Sequence, residues 1–448
     1  MRSNVLIKNI ASQSLLQVAN LVLPFITIPY ITKIIGPDKF GVINYCTAIV
    51  TYFVLIVNFS FDMQASRAVA QKPDDQAFIN KIFSNIFYTK IFLFIISTIT
   101  FLLLVNFLPQ LKNEKQVAFY SFLILIGWVF TPNWLYQGKQ QLNKIAVFNL
   151  IAKILFTAAV FVFINSKQQY VWQPLILSFS QILVGVLSFL FACKRFNITL
   201  VKYHWANIVG VLKEGKELFF SMITINLYSN TTIVILGIFL SVTQVGYYSA
   251  AYRLIITAIS VLSIPLTQAL FPFISASFSV DKSKGIKDLQ TLLPVCLLFS
   301  FLYSLAFFIM APFIITLFYG QAFYPAIAVF RILSVVPFLV SINSFLGVHA
   351  LLNLKMDKKF LRITLTSSVV GISSALILGY FLGIKGGAIS WLIAEIFNCI
   401  LFYLALKKMS INLFNPQYFR YIYFKSLAQK GVANIYSKYA QLKTLKTN

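Results

Sequence analysis

Acid is scarce in this chain: 11 Asp and Glu stand against 37 Lys and Arg in 448 residues, for a formal charge of +26. Histidine is scarcer, with only His204 and His349, so a zinc site or imidazole-based acid–base catalysis has almost nothing to work with. No Gly-rich loop ending in Lys-Ser or Lys-Thr is present, which argues against an ATPase of the phosphate-loop kind. The four cysteines, Cys46, Cys193, Cys296 and Cys399, fall in or at the ends of apolar runs. They do not make the loop-borne framework of a disulfide scaffold, and they read as small core residues. No metal, cofactor or catalytic residue is expected.

Apolar residues are what the chain has: 59% are hydrophobic and 11% charged, far from a soluble average near a quarter charged. Stretches of about twenty apolar residues, the length that crosses a hydrocarbon core, fall at 11–34, 40–61, 82–106, 117–137, 145–165 and 171–193. A second set falls at 216–240, 246–278, 290–318, 324–351, 360–383 and 387–407. The first run is too long for a signal-peptide core and lacks a small-residue cleavage site, so it is expected to stay as a span. The pattern predicts an all-α integral membrane protein of twelve transmembrane helices in two six-helix lobes. The expected domains are an N-terminal lobe, 1–193, a linker, 194–215, a C-terminal lobe, 216–408, and a basic tail, 409–448.

The basic residues are one-sided. Counting Lys33, Lys216, Arg362 and Lys407 at the run ends with the connections they adjoin, the amino end, the even-numbered connections and the tail hold 27 Lys and Arg, and the odd-numbered connections hold 6. Lys and Arg mark the cytoplasmic side, so both termini are expected inside and the span number even. The excess charge then needs no nucleic-acid partner. In the linker, Lys202, Lys213 and Lys216 alternate with Tyr203, Trp205 and Val211, the pattern of a helix at the lipid interface. The tail carries Arg420, Lys425, Lys430, Lys438, Lys443 and Lys446 among aromatics and no acid, which suits anionic membrane lipid. It is expected to be dispensable for transport but to aid membrane expression.

A faint internal repeat joins the halves. Phe40-Gly41-Val42-Ile43-Asn44-Tyr45 returns as Val245-Gly246-Tyr247-Tyr248-Ser249-Ala250 at an offset of 205, and Gln141-Leu142-Asn143 as Leu351-Leu352-Asn353 at an offset of 210. Two related lobes of the same orientation are the expectation. The first and seventh runs share a polar stripe, Gln13, Gln17, Asn20 and Thr27 in one and Ser221, Thr224, Tyr228 and Thr231 in the other. Interhelical hydrogen bonding and the lining of a hydrated cleft are both open readings. Pro24 and Pro29 are expected to bend the first span.

Four basic residues lie about seven or eight positions inside their runs: Lys90, Lys153, Arg253 and Arg331. At 1.5 Å per residue they sit roughly 10 to 12 Å from the nearer surface, where a charge costs up to about 2.5 to 3.5 kcal/mol. Snorkelling accounts for such a residue when it is a long-stemmed lysine; a cleft for an anion accounts for all four. Against them stand Glu395 and, near the end of the second run, Asp62. For Glu395 an ion pair with an arginine and proton coupling are both open. Excess buried positive charge suits an anionic ligand.

Several segments resemble a known family. Gly36-Pro37-Asp38-Lys39-Phe40-Gly41, Ala65-Ser66-Arg67, Pro132-Asn133-Trp134-Leu135-Tyr136-Gln137-Gly138 and Val245-Gly246-Tyr247-Tyr248-Ser249-Ala250-Ala251 resemble the Wzx-type O-antigen and polysaccharide flippases. These belong to the superfamily that includes the multidrug and toxin extrusion exporters. The resemblance runs from Asn9 to about Lys408 and departs at Phe59-Ser60-Phe61, where relatives often place a glycine before the aromatic. It implies a MATE-like fold in a bacterial inner membrane. It also implies transport of undecaprenyl-pyrophosphate-linked oligosaccharide, an O-antigen or capsule repeat unit, from inner to outer leaflet by alternating access. Lys90, Lys153, Arg253 and Arg331 are then candidates for a cationic cavity, and Glu395 and Asp62 for H+ or Na+ coupling. Glycan polymerase and assembly proteins are the implied partners. Two rivals remain: a drug or cation antiporter of the same fold, which needs carboxylates where the spans hold a four-to-one basic excess over Glu395, and a polymerase or ligase, which needs a large outer loop.

Overall fold

The computed structural model describes the backbone of residues 2–202, 204–420 and 423, and their side chains except at 2–21, 221–222, 224–229, 264 and 268–269. It is 88% helical, and no strand occurs among the described residues. Nine helices among these residues are long and apolar enough to cross a membrane. The chain is a multi-pass membrane protein.

Two of the nine are too long for one crossing. Val22–Gln71 has 50 residues and Asp357–Lys407 has 51, about 75 Å each at the helical rise against a core of about 30 Å. Each contains a glycine with positive φ, Gly36 at 73° and Gly383 at 60°. Glycine alone enters that region without cost, so each glycine is a tight turn between two helices. At Gly36 the turn is reinforced by Pro37, which has no N–H to continue the first ladder.

The described chain clusters into two compact units. The larger comprises Met1–Thr257, Met310–Leu333 and Ser368–Trp391. Its interior is aromatic: Phe101 stacks on Phe122 at 4.1 Å, and Phe53 meets both edge-on. Where helices need to come closer than aromatics allow, glycines face each other. A Cβ on Gly127 would fall 2.5 Å from the Gln181 carbonyl, and one on Gly185 would fall 2.3 Å from the Gly127 carbonyl. The smaller unit comprises Ala258–Ile309, Ser334–Ser367 and Leu392–Asn448. Its core gathers Leu289, Leu293, Phe345, Leu351, Phe402 and Leu406, and it takes in Ile411 and Leu413 from the start of the tail. The tail residues 421–422 and 424–448 lie outside the described residues.

Two local features hold the candidate side chains in place. A short helix, Phe61–Gln71, lies across the helix Asn133–Gly138; the absence of a side chain at Gly138 admits Val69 and the Ser66 carbonyl, 2.9 Å from where a Cβ would stand. Ahead of it Phe59 takes φ 46°, a conformation that favours glycine, at the point of departure from the family pattern. The chain after Arg195 is pinned along the helix Gln76–Phe107: Asn80 donates to Thr199 Oγ1 at 2.6 Å, the Val201 N–H to Ser84 Oγ at 2.8 Å, and Gln76 to the Phe196 carbonyl at 2.9 Å. From Trp205 one helix then runs unbroken to Phe239.

Candidate functional site

Lys90 lies in the helix Gln76–Phe107 and is 3% exposed. Its ammonium donates to the Trp128 carbonyl at 2.9 Å, the Thr131 carbonyl at 3.1 Å and Asn58 Oδ1 at 3.2 Å. The first two acceptors exist because of Pro132. The helix Ile124–Phe130 stops there and Asn133–Gly138 restarts; Pro132 has no N–H for the Trp128 carbonyl, which keeps only the Thr131 N–H at 3.3 Å, and the Leu135 N–H bonds the Pro132 carbonyl instead of that of Thr131. Lys90 supplies the missing donors. Asp62, in the first turn of Phe61–Gln71, is within electrostatic reach of Lys90 and accepts from the Trp134 backbone. All three ammonium hydrogens are therefore used within the protein, and Lys90 ties three helices to the break.

Arg253 sits in the helix Val242–Ala258 and is half-buried. Its Nε donates to Asn44 Oδ1 at 3.0 Å, and Asn44 is itself oriented by its bond to the Phe40 carbonyl at 2.7 Å. The two terminal nitrogens make no hydrogen bond among the described residues. Arg253 is also within electrostatic reach of Tyr319, whose buried hydroxyl has no hydrogen-bond partner among the described residues. One edge of the guanidinium is fixed and the other, beside an unmatched hydroxyl, is available. A buried polar group left so asks for a partner that the described residues do not supply.

These helices meet at two glycines. A Cβ on Gly41 would fall 1.7 Å from the Val242 carbonyl oxygen, and one on Gly246 would fall 2.0 Å from the Pro37 carbonyl oxygen. Gly246 and Val242 are Gly41 and Pro37 displaced by the repeat offset of 205. The contact is reciprocal: each copy of the repeat makes to the other the contact that it receives. At the Gly36 turn, Lys39 pairs with Glu114 at 2.9 Å and lies 4.3 Å from the centroid of the Tyr170 ring, while the Tyr170 hydroxyl donates to the other Glu114 oxygen. Asp38 pairs with Lys167 at 2.9 Å. The family-like segment thus fastens three inter-helix connections together.

The remaining candidates are spread out. Lys153 is half-buried in Leu142–Phe163, between exposed Ile151, Ile154 and Leu155. Arg331 is exposed in the last turn of Ala326–Leu333, in the same unit as Arg253. Glu395, 2% exposed in the smaller unit, accepts from Asn343 Nδ2 at 2.7 Å on its carboxylate and 3.0 Å on its carbonyl. The polar stripe residues Gln13, Gln17, Asn20, Thr224 and Tyr228 lie outside the residues whose side chains are described. Thr231 is described and bonds Tyr52 at 2.6 Å; Thr27 turns back to the Leu23 carbonyl. Among the described residues no cluster of three metal-ligating side chains occurs. Sequence reasoning missed Asn44, Asn58 and the carbonyls of Trp128 and Thr131; Pro132 was the one signal that pointed to the last two.

Comparison with known proteins identifies the family and the fold. Residues 6–278 match the model of a family described as polysaccharide biosynthesis protein, and residues 281–441 match a second of the same description. A putative O-antigen transporter of Escherichia coli (strain K12) is 27% identical over 82% of this chain and 88% of its own. Another, of Shigella dysenteriae, is 26% identical over 89% and 100%. Among solved structures, the lipid II flippase MurJ in an inward closed conformation superposes with a TM-score of 0.71 at 14% identity, over 96% of this chain and 92% of that one. An inward-facing multidrug resistance MATE family transporter of the MOP superfamily gives 0.67 at 15%, over 88% and 98%. At such identities the likeness is one of fold. The chain belongs to the polysaccharide biosynthesis protein family, the family of the Wzx-type flippases, and is a membrane transporter rather than an enzyme.

Proposed function

We propose that the protein moves an undecaprenyl-pyrophosphate-linked oligosaccharide, an O-antigen or capsule repeat unit, from the inner to the outer leaflet of a bacterial inner membrane. The observation that carries this reading is Arg253. Its Nε is spent on Asn44 while its terminal nitrogens stay available beside the unmatched Tyr319 hydroxyl. A planar fork anchored on one side and open on the other suits bidentate pairing with a phosphate. The relatives named as O-antigen transporters and the lipid II flippase fold support the same substrate class.

Twelve spans in two six-helix lobes accommodate the described helices. The glycine turns at Gly36 and Gly383 divide two of the nine long helices, and Trp205–Phe239 contributes one more. Lobes at 1–193 and 216–408, joined by 194–215, with both termini cytoplasmic, follow from the basic asymmetry. Alternating access would expose Lys153 from one side and Arg253 and Arg331 from the other. Lys90 joins that cationic set only by leaving the Trp128 and Thr131 carbonyls, so its role is to position the break at Pro132. Glu395 and Asp62 are the acids through which H+ or Na+ would couple, and glycan polymerase and assembly proteins would act on the product.

The test is complementation of a flippase-null strain with Arg253→Ala, Arg253→Lys, Arg331→Ala and Lys153→Ala at matched membrane abundance. Full-length surface glycan is expected to fall sharply for Arg253→Ala and to return only in part with Arg253→Lys. Full restoration by all three alanine variants would overturn the cationic route.

A further inference from the structure

The smaller unit carries a second basic feature that transport of a glycan does not use. A cavity of about 580 Å³ opens between the start of Asp357–Lys407 and its end, lined by Lys359, Lys407 and Lys408 above Ile363, Leu401 and Leu404. We propose that this groove is a binding site for an anionic bilayer phospholipid, with the phosphate at the three lysines and an acyl chain along the apolar floor.

The placement of Lys359 carries the argument. It stands in the first turn of its helix, where the helix dipole disfavours a cation, and Asp357 already supplies the acid that such an end favours. Yet its ammonium is turned across to the Ala405 carbonyl, 3.5 Å away, at the far end of the same long element. That contact is at the limit of a hydrogen bond and leaves two donors over. Lys407 by itself completes a helix C-terminus, where a cation belongs. Lys359 beside it has no such reason, and none of the three lysines pairs with a carboxylate among the described residues. Three like charges gathered at one mouth repel one another, and an anion between them reverses the sign of that interaction.

The floor selects a lipid. Ile363 is buried while Leu404 is 44% exposed, so the groove opens along the helix surface toward the position of acyl chains. Basic pockets between spans at the headgroup level take phospholipid headgroups in this way. Apart from the lysines no polar side chain among the described residues lines the groove. It reads a phosphate and has nothing with which to read a sugar, which favours a bilayer phospholipid over the glycan-bearing substrate. The proposal rests on the membrane location alone and stands or falls independently of the flippase reading.

Full-length protein in detergent, titrated with phosphatidylglycerol, phosphatidylcholine and undecaprenyl phosphate and read by native mass spectrometry, tests it. Wild type is expected to retain phosphatidylglycerol in preference to phosphatidylcholine. Each lysine is worth roughly a fivefold effect, so the triple variant Lys359→Gln, Lys407→Gln, Lys408→Gln is expected to bind about a hundredfold more weakly. The control Lys282→Gln, Lys284→Gln, Lys287→Gln is expected to bind as wild type does. Should the triple variant not fold, Leu404→Trp keeps the charge, fills the floor and is expected to weaken retention by itself. Equal retention by both triple variants, no lipid preference in wild type, or full retention by Leu404→Trp overturns the site. Undecaprenyl phosphate displacing phosphatidylglycerol from wild type, with its binding lost in the triple variant, assigns the groove to the substrate and overturns the choice of phospholipid.

Discussion

The ammonium of Lys90 lies 2.9 Å from the carbonyl oxygen of Trp128, the acceptor that Pro132 deprives of its helical donor. A charge that insertion energetics disfavour is thereby converted into the donor that a broken helix lacks. Lys90→Met is expected to leave the buried Thr131 carbonyl without a donor, at about 1–3 kcal/mol, and the Trp128 carbonyl with only the Thr131 N–H at 3.3 Å, and to lower the temperature at which detergent-solubilised protein loses monodispersity. Pro132→Ala in the same chain restores the N–H due to Trp128 and is expected to recover part of that loss. An additive double variant would show that the two residues are not coupled.

Gly41→Ala and Gly246→Ala are each expected to cost about 1–3 kcal/mol, the range for overpacking, because their Cβ atoms would fall on backbone oxygens that no side-chain rotation can move. Gly210→Ala, with nothing within 4 Å of its Cβ, serves as the neutral comparison. Membrane abundance and heat tolerance of the three variants decide the matter.

Glu114 serves both Lys39 and Tyr170, yet it and Lys39 are partly exposed, at 21% and 27%. Lys39→Ala and Glu114→Ala are expected to be non-additive by about 0.5 kcal/mol at low salt and to lose that coupling at high salt. A double-mutant cycle on thermal stability at the two salt levels measures it.

Reporter fusions after Asn448 and near Asn113 are expected to be active only on the cytoplasmic side and only on the outer side, respectively, because 27 basic residues against 6 fix the orientation. Outer-side activity at Asn448 would reverse the sides from which Lys153, Arg253 and Arg331 are reached.

Truncation after Lys408 is expected to lower membrane abundance, since it removes Ile411 and Leu413, which are 5% and 1% exposed in the core of the smaller unit. Truncation after Tyr423, which keeps the bond from its hydroxyl to the Thr291 carbonyl, is expected to be tolerated. Surface glycan normalised to protein level separates stability from transport.

The helical, membrane-spanning character was legible because hydropathy and Lys/Arg placement act residue by residue. The two breaks were legible as gaps between apolar runs, 35–39 and 384–386, but not that one glycine with positive φ, Gly36 or Gly383, makes each turn. The role of Lys90 was hidden because its partners are backbone carbonyls, which have no letter in a sequence; Pro132 alone marked where acceptors would be missing. Asn44 escaped notice because its partner, Arg253, is distant in the chain. The tail's support of membrane expression was read from its basic and aromatic residues, and the packing of Ile411 and Leu413 into a core was not legible, because two apolar letters in a charged segment carry no periodic signal.

The reciprocal contact between Gly41 and Gly246 has an ancestral reading. Were the two copies of the repeat separate chains, the same glycine on each would sit near a twofold axis and face the other's Pro37-equivalent carbonyl, the self-complementary geometry of a symmetric homodimer. A half-length progenitor with one such glycine would have had its pairing surface ready before any duplication joined the copies. In the single chain the two faces differ, and Arg253 is one such difference: its counterpart 205 residues earlier is Ala48. On the proposed function, what would turn a symmetric seam into an anion site stands in one copy only.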